Sequence, residues 1–238
     1  MDVVHNEKIE QGSVIQGLTA GVPIAFGYMP VAITFGLLAG STGLTAVEAV
    51  LMSMLVFAGA AQYMAISMIA VSAGALEIVA ATFIVNLRHL LMSASIHERT
   101  APSSKKGRAF FSFFLTDEVF AVSSVADAPV KPGYILGVGV SAYGSWVGFT
   151  GIGYFTGELL PAVLQESMGI ALYALFIALL VPSIKQAGRS ILLLALTAGL
   201  SNWLYLQLLD TGWALMAASV TSLLLYELFI GKGEAHAE

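Results

Sequence analysis

Predominantly apolar stretches, each long enough or nearly long enough to cross a lipid bilayer, recur at residues 13–39, 46–71, 76–96, 133–157, 163–181, 190–209 and 213–230. A spanning helix needs about 20 apolar residues at 1.5 Å of rise each. Hydrocarbon offers backbone groups no water, so only helices and closed barrels cross it. Barrel strands alternate apolar with polar residues, and these runs are continuously apolar. The sequence therefore predicts an all-α fold, a polytopic helical membrane bundle of about seven spanning helices forming a single transmembrane domain over residues 1–238. Composition agrees: 58% of residues are hydrophobic and 11% charged, against roughly 25% charged in a soluble domain.

Several function classes are excluded at this level. The net charge of −5 comes from scattered carboxylates and carries no nucleic-acid signal. There are no cysteines, hence no disulfides, thiolate metal sites or cysteine nucleophile. We find no P-loop, no GxSxG nucleophile and no multi-histidine pattern, so the expectation is no cofactor, no metal and no enzyme. The N-terminal MDVVHNEKIEQG reads as a short polar tail rather than a cleaved signal.

One apolar run, 110–125 (AFFSFFLTDEVFAVSS), is too short to span comfortably and holds Asp117 and Glu118 at its centre. The linker before it, HERTAPSSKKGR, is the one strongly basic segment, and a second basic loop carries Lys185 and Arg189. Positive loops favour the cytoplasm. Three crossings between the two would put them on opposite sides, whereas two put both inside. Residues 110–125 are therefore expected to re-enter rather than cross, which is tolerated where the segment is buried or lines a cavity. The glycine-rich openers GLTAGVPIAFGYMPVAITFG and GVGVSAYGSWVGFTGIGYFTG suggest repeat halves 13–96 and 133–209, with the inverted relation found in many secondary transporters.

Against this background, NLRHLL is anomalous. Arg88 lies about 12 Å below a helix end at Ile96, near the middle of a roughly 30 Å core. Asn86, His89 and Ser93 share one helical face, and Arg88 with Met92 another. A mid-membrane arginine needs a counter-charge, and Asp117 with Glu118 is the nearest acidic pair in sequence. Arg88, His89, Asp117 and Glu118 are thus candidates for a buried cluster coupling protons or ions. The alternative is a structural ion pair with a silent histidine. His89 suits proton exchange because a neighbouring arginine favours the neutral imidazole and a carboxylate the charged one.

A second set points to a small zwitterion. Pro23 and Pro30 bracket Gly27 in GVPIAFGYMP, and a helix broken there would free N–H groups for a carboxylate and carbonyls for an ammonium. Gln62, amid apolar residues after the small patch Ala58 to Ala61, needs hydrogen-bond partners from another helix or a ligand. Asn86 completes these candidate substrate-binding residues. Met64 and Met68 read as core filling. Glu48, Glu77, Glu158, Asp210 and Glu227 fall near predicted helix ends and read as interfacial.

GVPIAFGYMP, FAGAAQ, NLRHLLMS and LTDEVF, in that order over roughly residues 13 to 210, resemble the AzlC family, the large subunit of bacterial branched-chain amino acid exporters. The resemblance implies a multi-pass transporter in the bacterial plasma (inner) membrane, exporting leucine, isoleucine, valine or methionine. It also implies a small AzlD-type membrane subunit as partner. The residues themselves suggest proton coupling. The alternative is a membrane subunit of a larger complex, an ATP-driven one included, without a transport path of its own.

Overall fold

In the computed structural model the described residues are 13–126, 129–159 and 189–228, with isolated positions 161, 163, 177, 181, 184 and 185. The helices are α1 (Val14–Ser41), α2 (Ala46–Val56), α3 (Gly59–Ala70), α4 (Ala75–Arg99), α5 (Lys105–Phe113), α6 (Asp117–Ser124) and α7 (Pro132–Thr156). After a 3-10 turn, Gly157–Leu159, come α8 (Arg189–Tyr205) and α9 (Thr211–Tyr226). Three of them, α1, α4 and α7, are long and apolar enough to cross a membrane. The helix expected at 163–181 and most of the loop 182–190 lie outside the described residues.

The chain divides into two compact units, residues 1–62 with 86–168, and residues 63–85 with 169–238. The first is built on α1 and α7, which run parallel along their whole length. A Cβ on Gly17 would overlap the Tyr134 carbonyl, one on Gly21 would meet Ser141, one on Gly36 the Thr150 carbonyl, and one on Gly153 the backbone of Ile33. Small residues allow backbones to approach this closely where burial out of water no longer drives association. Hydroxyls seal the contact: Ser141 Oγ donates to the Leu18 carbonyl at 2.8 Å and Ser145 Oγ to that of Ala25 at 2.5 Å.

Two expectations about helix breaks change places. The first helix is unbroken: α1 carries Pro23 and Pro30 within 28 continuous residues, and Pro23, Gly27 and Pro30 all lie on its exposed side. The predicted span 46–71 is instead two helices of 11 and 12 residues, interrupted at Phe57, whose φ of 44° and ψ of 46° are left-handed. A phenylalanine rarely adopts that conformation. Here its buried ring packs edge-on against Tyr143, with centroids 5.1 Å apart.

The short element behaves as its length and flanking charges require. The N–H of Ala101 donates to the Val130 carbonyl at 2.9 Å and that of Val130 to the Arg99 carbonyl at 2.8 Å, so the segment returns to where it left. Between these ends α5 and α6, of 9 and 8 residues, form a hairpin. Each would rise only about 12–14 Å, under half of a 30 Å core. Ser104 and Lys131 are exposed, one before the hairpin and one after it. Cysteines placed singly at these two positions in this cysteine-free chain are expected to react with an impermeant maleimide from the same side of the membrane. Labelling from opposite sides would make 105–126 a crossing.

In the second unit, Met68, Ala81 and Met216 form a core with Met64, Ile78 and Ile84 packed against it, the core-filling role expected of the methionines. Glu77 lies in the first turn of α4, as its position near a predicted helix end implied. It is 7% exposed and accepts the Gly212 N–H at 2.8 Å, capping the first turn of α9 from 135 residues away. Glu48 is exposed and caps its own helix in a box with Thr45.

Candidate functional site

Two interrupted elements approach the middle of α7 from its two ends. From one end, α2 runs antiparallel to α7: Tyr154 donates to the Leu44 carbonyl, Ser53 meets Thr150, and Tyr143 donates to the Met54 carbonyl. From the other, the α5–α6 hairpin starts beside Val130 and turns where Phe114 packs on Gly139 and Tyr143. The ring of Tyr143 touches both interruptions, Phe57 at 5.1 Å and Phe114 at 5.3 Å between centroids.

At the first interruption sits a buried polar network. Gln62 is wholly buried; its Oε1 accepts Trp146 Nε1–H at 3.0 Å and the Ala58 N–H at 3.3 Å, and its Nε2 donates to Ser53 Oγ at 3.0 Å. Ser53 and Thr150 hydroxyls are 2.8 Å apart. Gly59 allows the Trp146 ring to lie against the start of α3, since a Cβ there would come within 2.9 Å of it. Gln62 thus finds hydrogen-bond partners on other helices, one of the two alternatives its sequence setting left open, and staples the start of α3 to α2 and α7. The first N–H groups of α3, at Gly59, Ala60 and Ala61, have no helical acceptor and form the positive end of its dipole.

At the second interruption stands the charged cluster. Thr116 caps α6, its Oγ1 accepting the Val119 N–H at 3.3 Å. Asp117 Oδ2 pairs with Arg88 Nη1 at 2.6 Å, and Glu118 Oε2 accepts a short hydrogen bond from the Tyr28 hydroxyl. Tyr28 is buried, and its hydroxyl also lies 2.9 Å from Thr116 Oγ1. His89 is half-buried within range of the charges of Arg88 and Glu118. The Oδ1 of Asn86 and the Nε of Arg88 are buried without hydrogen-bond partners. The structure therefore brings Arg88, His89, Asp117 and Glu118 together, and leaves Pro23, Gly27 and Pro30 outside.

Sequence reading missed Tyr28 and Trp146, which join the two halves of the site ring to ring at 5.3 Å. The available signal was a hydrogen-bonding tip on each of two aromatic residues inside apolar helices, where a partner is required. Among the described residues no group of three or more His, Asp or Glu side chains is arranged to hold a metal.

The AzlC protein family model matches residues 23–160, a span holding every residue of this site. A protein of Archaeoglobus fulgidus described as an uncharacterized membrane protein is 36% identical over 172 residues, covering 71% of this chain and 75% of its own. Inner membrane protein YgaZ of Escherichia coli K12 is 32% identical over 198 residues, with coverages of 79% and 80%. The branched-chain amino acid transport protein AzlC of Bacillus subtilis is 25% identical over 163 residues, with coverages of 67% and 63%. No solved structure matches. Recurrent apolar helices, an ion pair on the middle of one candidate membrane-spanning helix and these similarities converge: the chain is a multi-pass membrane protein of the AzlC family.

Proposed function

We propose that this protein is a proton-coupled secondary transporter that exports branched-chain or similarly apolar amino acids across a bacterial plasma membrane, working with a small AzlD-type membrane subunit. The observation that carries the reading is the meeting of two interrupted helical elements beside a charged cluster at the middle of α7. Interrupted helices at membrane depth are tolerated where they line a cavity, and in secondary transporters they hold the polar ends of substrates. The start of α3 suits a carboxylate, the acidic first turn of α6 suits an ammonium, and Phe57, Phe114 and Tyr143 supply an apolar wall. The Bacillus subtilis relative, named for branched-chain amino acid transport, supports the substrate class. For the partner, Gly27, Gly144 and Gly148 face open space and offer close approach to another helix.

In this reading His89 relays protons to and from the carboxylates as the cluster rearranges. His89→Ala is expected to insert and assemble normally but to lose at least tenfold of leucine efflux driven by an imposed pH gradient in vesicles containing both subunits. Normal pH-driven efflux from that variant would remove histidine from the proton path. Absence of leucine flux from the wild-type pair would instead favour a membrane subunit without a path of its own.

A further inference from the structure

We propose that Glu118 is the residue that binds the substrate's ammonium group, and that a proton and the ammonium exclude one another there. The inference rests on the transporter reading above and assigns the exchange to one carboxylate of the two.

The two acidic residues of α6 are adjacent in sequence and unlike in partnership. Asp117 is neutralised by Arg88 at 2.6 Å. Glu118 has hydroxyl help only: Thr116 can donate to the Tyr28 oxygen, and Tyr28 donates to Glu118. Each hydroxyl has a single proton, so a chain of two donors ends on a carboxylate oxygen and supplies no charge. Counting formal charges by residue type gives +1 for Arg88 against −1 for each carboxylate when ionised, with the unprotonated imidazole of His89 adding none. One negative charge is left over at membrane depth, where an ionisable group is retained only with compensation. The compensating cation can be a proton or a guest ammonium, and the two occupy the same oxygen. Around Glu118 stand Tyr28 from α1, His89 from α4, and Thr116 and Asp117 from α6, with Arg88 of α4 on Asp117. An ammonium carries three N–H donors. On the face of α4 that bears His89, the buried Asn86 Oδ1 is an acceptor without a donor.

The consequence is a one-for-one exchange. Protonation neutralises Glu118 and releases the ammonium; deprotonation restores the attraction. Binding of leucine should therefore weaken as pH falls.

The test is equilibrium binding of radiolabelled leucine to the two-subunit complex in lipid nanodiscs between pH 5.5 and 8, with isoamylamine, which has the ammonium and the side chain but no carboxylate, as competitor. For the wild type we expect affinity to fall up to tenfold per pH unit toward the acid end, and isoamylamine to compete. For Glu118→Gln we expect leucine affinity lowered at least tenfold, a flat pH profile and no competition by isoamylamine, in protein whose elution on size exclusion is unchanged. His89→Ala should keep the pH slope, since a relay changes the rate of proton exchange and leaves its equilibrium alone. Glu118→Gln with wild-type affinity and slope overturns the assignment, as does a slope lost in His89→Ala and kept in Glu118→Gln. Leucine counterflow by the wild-type complex, run beside the binding assay, separates the two levels: flux with an unaltered Glu118→Gln profile sinks this assignment alone, and no wild-type flux sinks the transporter reading with it.

Discussion

Arg88→Ala is expected to lose folded protein and transport together. Removing the guanidinium leaves Asp117 and Glu118 side by side in the first turn of α6 with their neutralising partner gone. Breaking a buried ion pair by deleting one member costs roughly 3–5 kcal/mol. The Arg88 side chain is 37% exposed, and screening reduces the figure to about 2–3 kcal/mol. That is a large fraction of a typical stability of roughly 5–15 kcal/mol. At its tip the α5–α6 hairpin stays tied to α1 by Tyr28 on Glu118 and to α7 by Phe114 on Tyr143, so its contact with α4 should be the first to open. The double variant Arg88→Leu, Asp117→Leu should recover folded yield, because an apolar pair of similar volume replaces a buried ionic one without a stranded charge. Transport should stay absent. The measurement is the monodisperse fraction on size exclusion after solubilisation, with thermal melting of the recovered protein. Wild-type yield and melting of Arg88→Ala would mean that the pair does not hold the hairpin.

The ion pair was legible in the sequence because its logic is cost: an arginine at membrane depth demands an acid, and few acids lie outside the helix ends. The hairpin was legible for a related reason, since charge placement and chain length together forbid a third crossing. The position of the break in the second predicted helix was not. Proline is the standard signal for a broken helix, yet Pro23 and Pro30 sit inside a continuous α1 that packs along α7 through Gly17, Gly21 and Gly36. Phe57 sends no comparable signal, because what holds it left-handed is tertiary: the Tyr143 ring on its side chain and the Gln62 amide on the next N–H. The partner of Glu77 was hidden for the same reason: its place near a helix end was legible, but the N–H it accepts lies 135 residues later.

A break held by tertiary contacts has a design consequence. In the proposed transport reading the staple belongs to the scaffold and the substrate to the free helix ends beyond it. The partners of Gln62 fit the first description and the start of α3 the second. Mutation at Gln62 should therefore register first in stability, and only through it in transport.

Gln62→Met keeps the volume and removes the amide. The Trp146 Nε1–H and the Ala58 N–H each lose their acceptor, whereas Ser53 retains Thr150. An unsatisfied buried donor costs roughly 1–3 kcal/mol, so two cost about 2–6 kcal/mol. Melting, followed by loss of the monodisperse peak after heating, should fall by several degrees at every pH. Gln62→Glu separates the hydrogen-bond account from a general intolerance of change. A protonated carboxyl can accept from Trp146 and Ala58 and donate to Ser53, matching the amide; an ionised one is a buried charge. Burial raises the folded-state pKa of such a group above the unfolded value of about 4.3. Its contribution is then fully present below that value and lost as pH rises through the folded-state pKa. Gln62→Glu should melt close to the wild type near pH 4 and progressively lower toward pH 8, whereas Gln62→Met should show a deficit that does not follow pH. If both variants melt like the wild type and differ only in the leucine concentration needed for half-maximal flux, Gln62 is a ligand contact and the staple must be sought in Ser53 and Thr150.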